Sequence, residues 1–172
     1  MDKTFENNNE DVTVFTVADC TGHGVPGAFM SMLGVSFLNE IISQFKAEEL
    51  TAGKILDELR NFVKNSLRQT GKENEAKDGM DISLVVIDSS KNILHYAGAH
   101  NPLVRISDDE LISYDADRMP IGIHIKEKEN FDNNIIEYKP NDLFYLYSDG
   151  YVDQFGGKDG KKFMSKRFKN LL

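Results

Sequence analysis

The apolar, largely β-branched run Val14-Phe15-Thr16-Val17-Ala18 delivers Asp19 to the mouth of a glycine-rich turn, with Gly22, Gly24 and Gly27, after which a helical pattern begins. Glycine lets backbone approach a ligand closely and adopt positive φ, and successive backbone N–H groups in such a turn favour anions. A carboxylate at that point suits a metal or phosphate site. A second stretch of the same design, Leu143 to Tyr151, reads as a strand running into Asp149-Gly150. Hard divalent cations take oxygen ligands, so two strand-terminal aspartates 130 positions apart are expected to converge on one cation. Each Asp-Gly pair alone also reads as an ordinary turn dipeptide.

At 172 residues, 40% of them hydrophobic, the chain can bury one sizeable core, and a single domain over 1–172 is expected. The 28 acidic against 20 basic residues give a net charge of −8, which argues against broad nucleic-acid binding. Cys20 is the one cysteine, so no internal disulfide forms, and Cys and His nowhere take zinc-site spacing. A reducing, cytoplasmic setting is the expectation. The first eleven residues are polar and lack a signal core, and the apolar runs are short, so no membrane span is expected.

Residues 12–18 read as a strand with little alternation, expected to be buried on both faces. Over residues 25–45, Phe29, Met32, Leu33, Phe37, Ile41 and Phe45 recur at helical steps, with Ser36 among them, and Pro26 suits the first turn. A second helix is expected over 51–69, capped by Thr51, with Ile55, Leu56, Leu59, Phe62, Val63 and Leu67 on one face. The charged stretch 71–79 reads as a loop. Strands are expected at 82–88, 93–97, 103–107, 111–114, 135–138 and 142–147, and a helix from 161 to 172. A strand, two helices and then antiparallel strands indicate an α+β sandwich rather than a doubly wound parallel sheet.

Four stretches in order, D-C-T-G-H-G-V-P-G-A, G-M-D-I-S-L-V-V-I-D, Y-A-G-A-H-N-P-L and Y-S-D-G-Y-V-D, resemble motifs of the metal-dependent PPM serine/threonine phosphatases, closest to the bacterial SpoIIE-like branch. The resemblance runs from about residue 12 to the C-terminus. It implies a four-layer α-β-β-α sandwich of antiparallel sheets flanked by helices, incomplete in this chain. It also implies two Mn²⁺ or Mg²⁺ ions, with Asp19 matching the bridging aspartate, Cys20 the residue whose backbone carbonyl is a ligand, and Asp149 the later metal-binding aspartate. Asp19 and Asp149 are thereby the expected catalytic pair. His23 stands open between a general acid and a residue that hydrogen-bonds the glycine loop, and Gly22, Gly24 and Gly27 serve backbone approach and the start of the helix. His100 and Asn101 read as fixing a turn before Pro102, Asp81 as a turn cap or weak site residue, and Asp153 as structural.

The family also carries an aspartate in a G-D-F/Y motif on a strand before the one that holds Asp19, and a closing strand introduced by Asp-Asp or Asp-Asn. Asp2 and Asp11 lack the preceding glycine and a convincing strand, and 161–172 reads as helix. The expectation is therefore a domain segment cut at both ends, with open sheet edges, weak divalent binding and low activity of its own. The activity implied is hydrolysis of phosphoserine or phosphothreonine in bacterial signalling. The implied partners are a phosphorylated regulator such as an anti-sigma-factor antagonist, an upstream sensor domain and a second copy in a dimer. The sensor would make this the cytoplasmic part of a membrane-anchored protein. In that branch the two helices resemble a switch, and their apolar stripes equally fit plain core cover. The competing readings are a non-catalytic regulatory module that keeps the fold and a phosphoesterase for small phosphate esters.

Overall fold

The computed structural model describes residues 2–7, 10–72, 75, 77–158 and 160–172, with the backbone alone for 2–7, 10 and 11. The chain runs β1 (Asp2–Asn7), β2 (Glu10–Cys20), α1 (Gly24–Gln44), a 3-10 turn (Ala47–Glu49), α2 (Ala52–Ser66), β3 (Met80–Asp88), β4 (Ile93–Ala99), β5 (Leu103–Ser107), β6 (Glu110–Tyr114), β7 (Asn134–Glu137), β8 (Leu143–Leu146), α3 (Asp149–Val152), β9 (Phe155–Gly156), β10 (Lys161–Lys162) and α4 (Ser165–Leu171). A five-stranded sheet in the order β1-β2-β3-β4-β7 faces a three-stranded sheet, β6-β5-β8, and every ladder is antiparallel.

The two-residue period of β3 builds both cores. Ile82, Leu84 and Val86 point into a cluster shared with Leu38, Ile41 and Ile42 of α1 and with Ile55, Leu56 and Leu59 of α2. Val85, on the opposite face, joins Leu94 and Tyr96 of β4, Leu103 of β5 and Ile136 of β7, with Phe144 and Leu146 packed against them. Leu84 lies across from Ala97 and Val85 from Tyr96, so one register serves both sides. Each buried Leu or Ile contributes about 1.5–3 kcal/mol, and these two clusters hold the sheets and helices together. On the outer side of the smaller sheet, Lys169 of α4 donates to Ser113 Oγ of β6 at 2.8 Å, and the Phe168 ring lies 4.6 Å from that of Tyr147. The layers are thus α-β-β-α, as the resemblance implied.

Several expectations need correction. β1 is present, although its polar sequence hides it; it is held by the backbone ladder with β2, where Asp2 lies opposite Phe15. β2 is not buried on both faces: Val12 and Val14 are buried while Phe15 is 43% exposed. The buried stripe of α1 is Met30, Gly34, Leu38, Ile41 and Ile42, whereas Phe29 and Met32, expected inside, are 62% and 70% exposed. Length and apolar composition alone would let α1 cross a bilayer, with a mean hydropathy of 1.4 over its most apolar window. Short apolar runs hide this because Gly and Ser, nearly neutral in hydropathy, break the runs without lowering the mean much. In this fold the inner stripe of α1 packs on the sheet, and a Cβ on Gly34 would stand 2.9 Å from Met80 Cε. The last helix starts at Ser165 rather than 161, because Lys161 and Lys162 pair with Gly156 and Phe155 as a short hairpin.

α2 and the strands β3 to β8 fall close to their expected bounds, while the 3-10 turn and α3 had no expected counterpart. Thr51 caps α2, its side chain accepting from Lys54 N. The buried Arg60 of α2 donates to the carbonyls of Lys128 and Glu129 and lies 5.0 Å from the Phe131 ring centroid, which ties the long connection before β7 to the helix.

Asp142, just before β8, ties the start of that strand to its neighbour β5. Its carboxylate accepts from Lys139 N at 2.8 Å and from Arg105 Nε at 3.1 Å. The Lys139 N–H, then the Ser107 hydroxyl and the Arg105 guanidinium, lower its pKa to about 2. A carboxylate depressed below its unfolded value of about 3.9 stabilises the fold above that pH and loses the contribution as pH falls through its folded pKa. Asp142→Asn is therefore expected to lower stability at neutral pH and to flatten the loss between about pH 4 and pH 2, measured by urea unfolding across that window. Parallel pH profiles for variant and wild type would refute the assignment.

Candidate active site

β2 carries Asp19 to its end by an uninterrupted ladder, with Asp19 opposite Asp81 and Cys20 opposite Met80 of β3. The chain then turns sharply. Gly22 has φ +92, and a Cβ on Gly27 would stand 2.8 Å from Gly22 O, so both positions need glycine. His23 precedes the first turn of α1 in extended backbone, exposed, with no side-chain cap bond. Thr21, which the sequence reading passed over, clamps this turn to the start of β3: Gly79 N donates to Thr21 Oγ1 at 2.8 Å, and Thr21 N donates to Gly79 O at 3.0 Å. Gly79 itself has no room for a side chain, since a Cβ would meet Ile121 O at 2.2 Å.

Asp149 comes from the facing sheet. β8 ends at Leu146, and Tyr147 and Ser148 lead into Asp149, the first residue of the short α3. Asp149 is therefore at a helix start, two residues separating it from its strand, and that strand belongs to a different sheet from the one that carries Asp19. The two segments nevertheless meet: a Cβ on Gly150 would stand 3.9 Å from Asp19 Oδ2. Both aspartates are exposed and Cys20 is half-buried. Hard carboxylate and carbonyl oxygens of this kind fit Mg²⁺ or Mn²⁺. Among the described residues no three His, Cys, Asp or Glu side chains cluster closely enough to hold an ion. Asp2 stays away from this corner, since its partner Phe15 lies four residues before Asp19 in β2.

Beside Asp19, the Asp81 carboxylate meets His100 Nδ1 at 2.8 Å. His100 sits at φ +59, a left-handed conformation that non-glycine residues rarely adopt, with its N–H donating to Asp117 O at 2.9 Å. Asn101 closes the same turn, its N–H donating to Ala99 O and its carbonyl accepting from Tyr96 Oη at 2.9 Å. The turn is thus held through the backbone of His100 and Asn101, while the His100 side chain makes Asp81 its partner. No signal in a single sequence couples positions 81 and 100. Asp153 pairs with Lys162 at 2.6 Å, a structural contact.

The family description Stage II sporulation protein E (SpoIIE) matches residues 9–172. Among solved structures, the SiaA-PP2C domain of Pseudomonas aeruginosa is similar at a TM-score of 0.79 and 29% identity, covering 99% of this chain and 63% of that one. The PP2C phosphatase domain of SpoIIE from Bacillus subtilis, solved with a fragment of its regulatory domain, aligns at 0.67 and 17% identity over 89% of this chain and 42% of that one. The RsbU and RsbW domains of a Mycobacterium tuberculosis protein align at 0.69 and 19% identity over 99% and 44%. The chain thus spans less than two thirds of the length of each of these structures. No curated protein matches the sequence.

Proposed function

The chain belongs to the SpoIIE family and has a PP2C-like phosphatase fold, and on that premise we propose that it is a metal-dependent phosphatase domain acting on phosphoserine or phosphothreonine in proteins. The observation that carries this reading is the approach of the Asp19 carboxylate to the Asp149-Gly150 turn across two sheets. Asp19, Asp149 and the Cys20 carbonyl would hold Mn²⁺ or Mg²⁺, two ions in a complete domain. Such ions, when bound, activate a water for in-line attack on phosphorus and neutralise charge on the phosphoryl oxygens. The chain's own contribution is placement: the β2–β3 ladder and the Thr21–Gly79 clamp set Asp19, and α3 sets Asp149. A phosphorylated regulator, such as an anti-sigma-factor antagonist, is the proposed substrate. An upstream sensor, a dimeric state and a cytoplasmic setting complete the proposal, the last supported by the lone cysteine.

A second reading, a binding module that keeps the fold without turnover, draws on the finding that, among the described residues, no three ligating side chains cluster around one ion position. One assay separates them. Phosphate release from a phosphoserine peptide with Mn²⁺ is expected to be slow, abolished by EDTA and faster than from p-nitrophenyl phosphate. Peptide binding without any release would favour the binding module. Faster turnover of the small ester would point to a phosphoesterase for small substrates.

A further inference from the structure

The last fifteen residues, 158–172, carry six basic side chains and one acidic one in a chain whose net charge is −8. The fold gathers part of this charge around a groove of about 500 Å³ between α3, the β9–β10 hairpin and α4. Tyr151, Phe155 and Phe163 form its apolar wall, and Gln154, Lys161 and Arg167 supply polar groups. Phe155 is 71% and Tyr151 52% exposed, although the Tyr151 ring is braced from below by Phe163 at 6.0 Å and Phe168 at 5.2 Å. Exposed aromatics on a braced wall beside cations form a recognition surface more readily than a solvated face. One hydrogen bond links the lining of the groove to the candidate ion site: Gln154 Nε2 donates to Gly150 O at 2.8 Å, and Gly150 is the residue that Asp19 approaches.

We propose that this groove docks the acidic segment that flanks the phosphorylated residue of a protein substrate, with an apolar side chain of that segment between Tyr151, Phe155 and Phe163. The proposal rests on the phosphatase reading above and adds the substrate's chemistry to it. Arg167 and Lys161 meet carboxylates next to the phosphorylated residue, as cationic clusters do in acidic-motif recognition. The acidic remainder of the chain repels the same peptide elsewhere, which directs it to this end of the molecule.

The test uses a fluorescein-labelled phosphoserine peptide flanked by aspartates and one leucine, and a second peptide with serines in place of the aspartates. Binding is read by anisotropy in EDTA, so that neither ion nor turnover enters. The acidic peptide is expected to bind at least about tenfold tighter than the neutral one and to weaken as salt rises from 50 to 200 mM. Lys161→Glu with Arg167→Glu should weaken it by about tenfold or more, and Phe155→Ala by about threefold. Lys46→Glu, the same charge change between α1 and the 3-10 turn, should leave it within about twofold. All four substituted side chains are exposed, and circular dichroism checks that the fold persists. Unchanged affinity in the Lys161/Arg167 variant overturns the proposal. So does tighter binding to a DNA oligonucleotide or to phosphatidylserine vesicles than to the acidic peptide. Peptide binding lost in that variant, without phosphate release by the wild type under Mn²⁺, would keep the groove and remove the phosphatase reading. Phosphate release with peptide affinity indifferent to these variants would do the reverse.

Discussion

Replacing Asp19 by Asn is expected to weaken Mn²⁺ binding by at least about tenfold, or about 1.4 kcal/mol, and Asp149→Asn should do the same. Each substitution keeps size and hydrogen-bonding capacity while removing one anionic oxygen ligand, and hard cations depend on that charge. Both side chains are exposed, so neither change opens a cavity, and the loss should be visible without unfolding. Cys20→Ala serves as the control. The proposed ligand there is the backbone carbonyl, which the substitution preserves, so Mn²⁺ affinity should stay within about twofold of wild type. Titration followed by electron paramagnetic resonance of free Mn²⁺ reads all three. Equal affinity for wild type and both aspartate variants would remove the ion site from this corner. A loss in Cys20→Ala alone would assign the thiol a role that the geometry does not give it.

The second large effect concerns stability. Leu56→Ala, in the second turn of α2 and fully buried against the five-stranded sheet, should cost about 2–5 kcal/mol, because the cavity left behind collapses only partly. Phe29→Ala, in α1, removes a larger side chain yet should change stability by no more than about 0.5 kcal/mol, since the ring is already in solvent. Urea unfolding of the two variants side by side checks the pair. A cost for Phe29→Ala near that of Leu56→Ala would mean that the outer stripe of α1 is covered by something in solution, such as a second copy of the chain.

That contrast also marks where sequence reading stops. In α2 the pattern is decisive: Ile55, Leu56, Leu59 and Val63 are apolar among charged neighbours, so only one face can be buried, and it is. α1 offers no such choice. Its residues are apolar nearly all round, and the buried stripe is selected by a neighbour, Met80 of β3, which needs the space that Gly34 leaves. β1 shows the opposite limitation. The sequence Asp-Lys-Thr-Phe-Glu-Asn has little to mark a strand, and its ladder to β2 is made by backbone groups that every residue carries.

The candidate site divides in the same way. Asp19 with its glycine turn and Asp149 before Gly150 are readable because each depends on local chemistry, a carboxylate where apolar backbone gives way to glycine. The approach of the Asp19 carboxylate to Gly150, the Thr21–Gly79 clamp, the Asp81–His100 pair and the groove beside α3 are decided by tertiary structure alone. Periodicity and turn residues act over a few positions, so the sequence by itself determined the two long helices and the strands β2 to β8, while β1, α3 and the β9–β10 hairpin carry no such local mark. Contacts between positions 58 or 131 apart in the chain exist only once the register of β2 on β3 and the stacking of one sheet on the other bring them together.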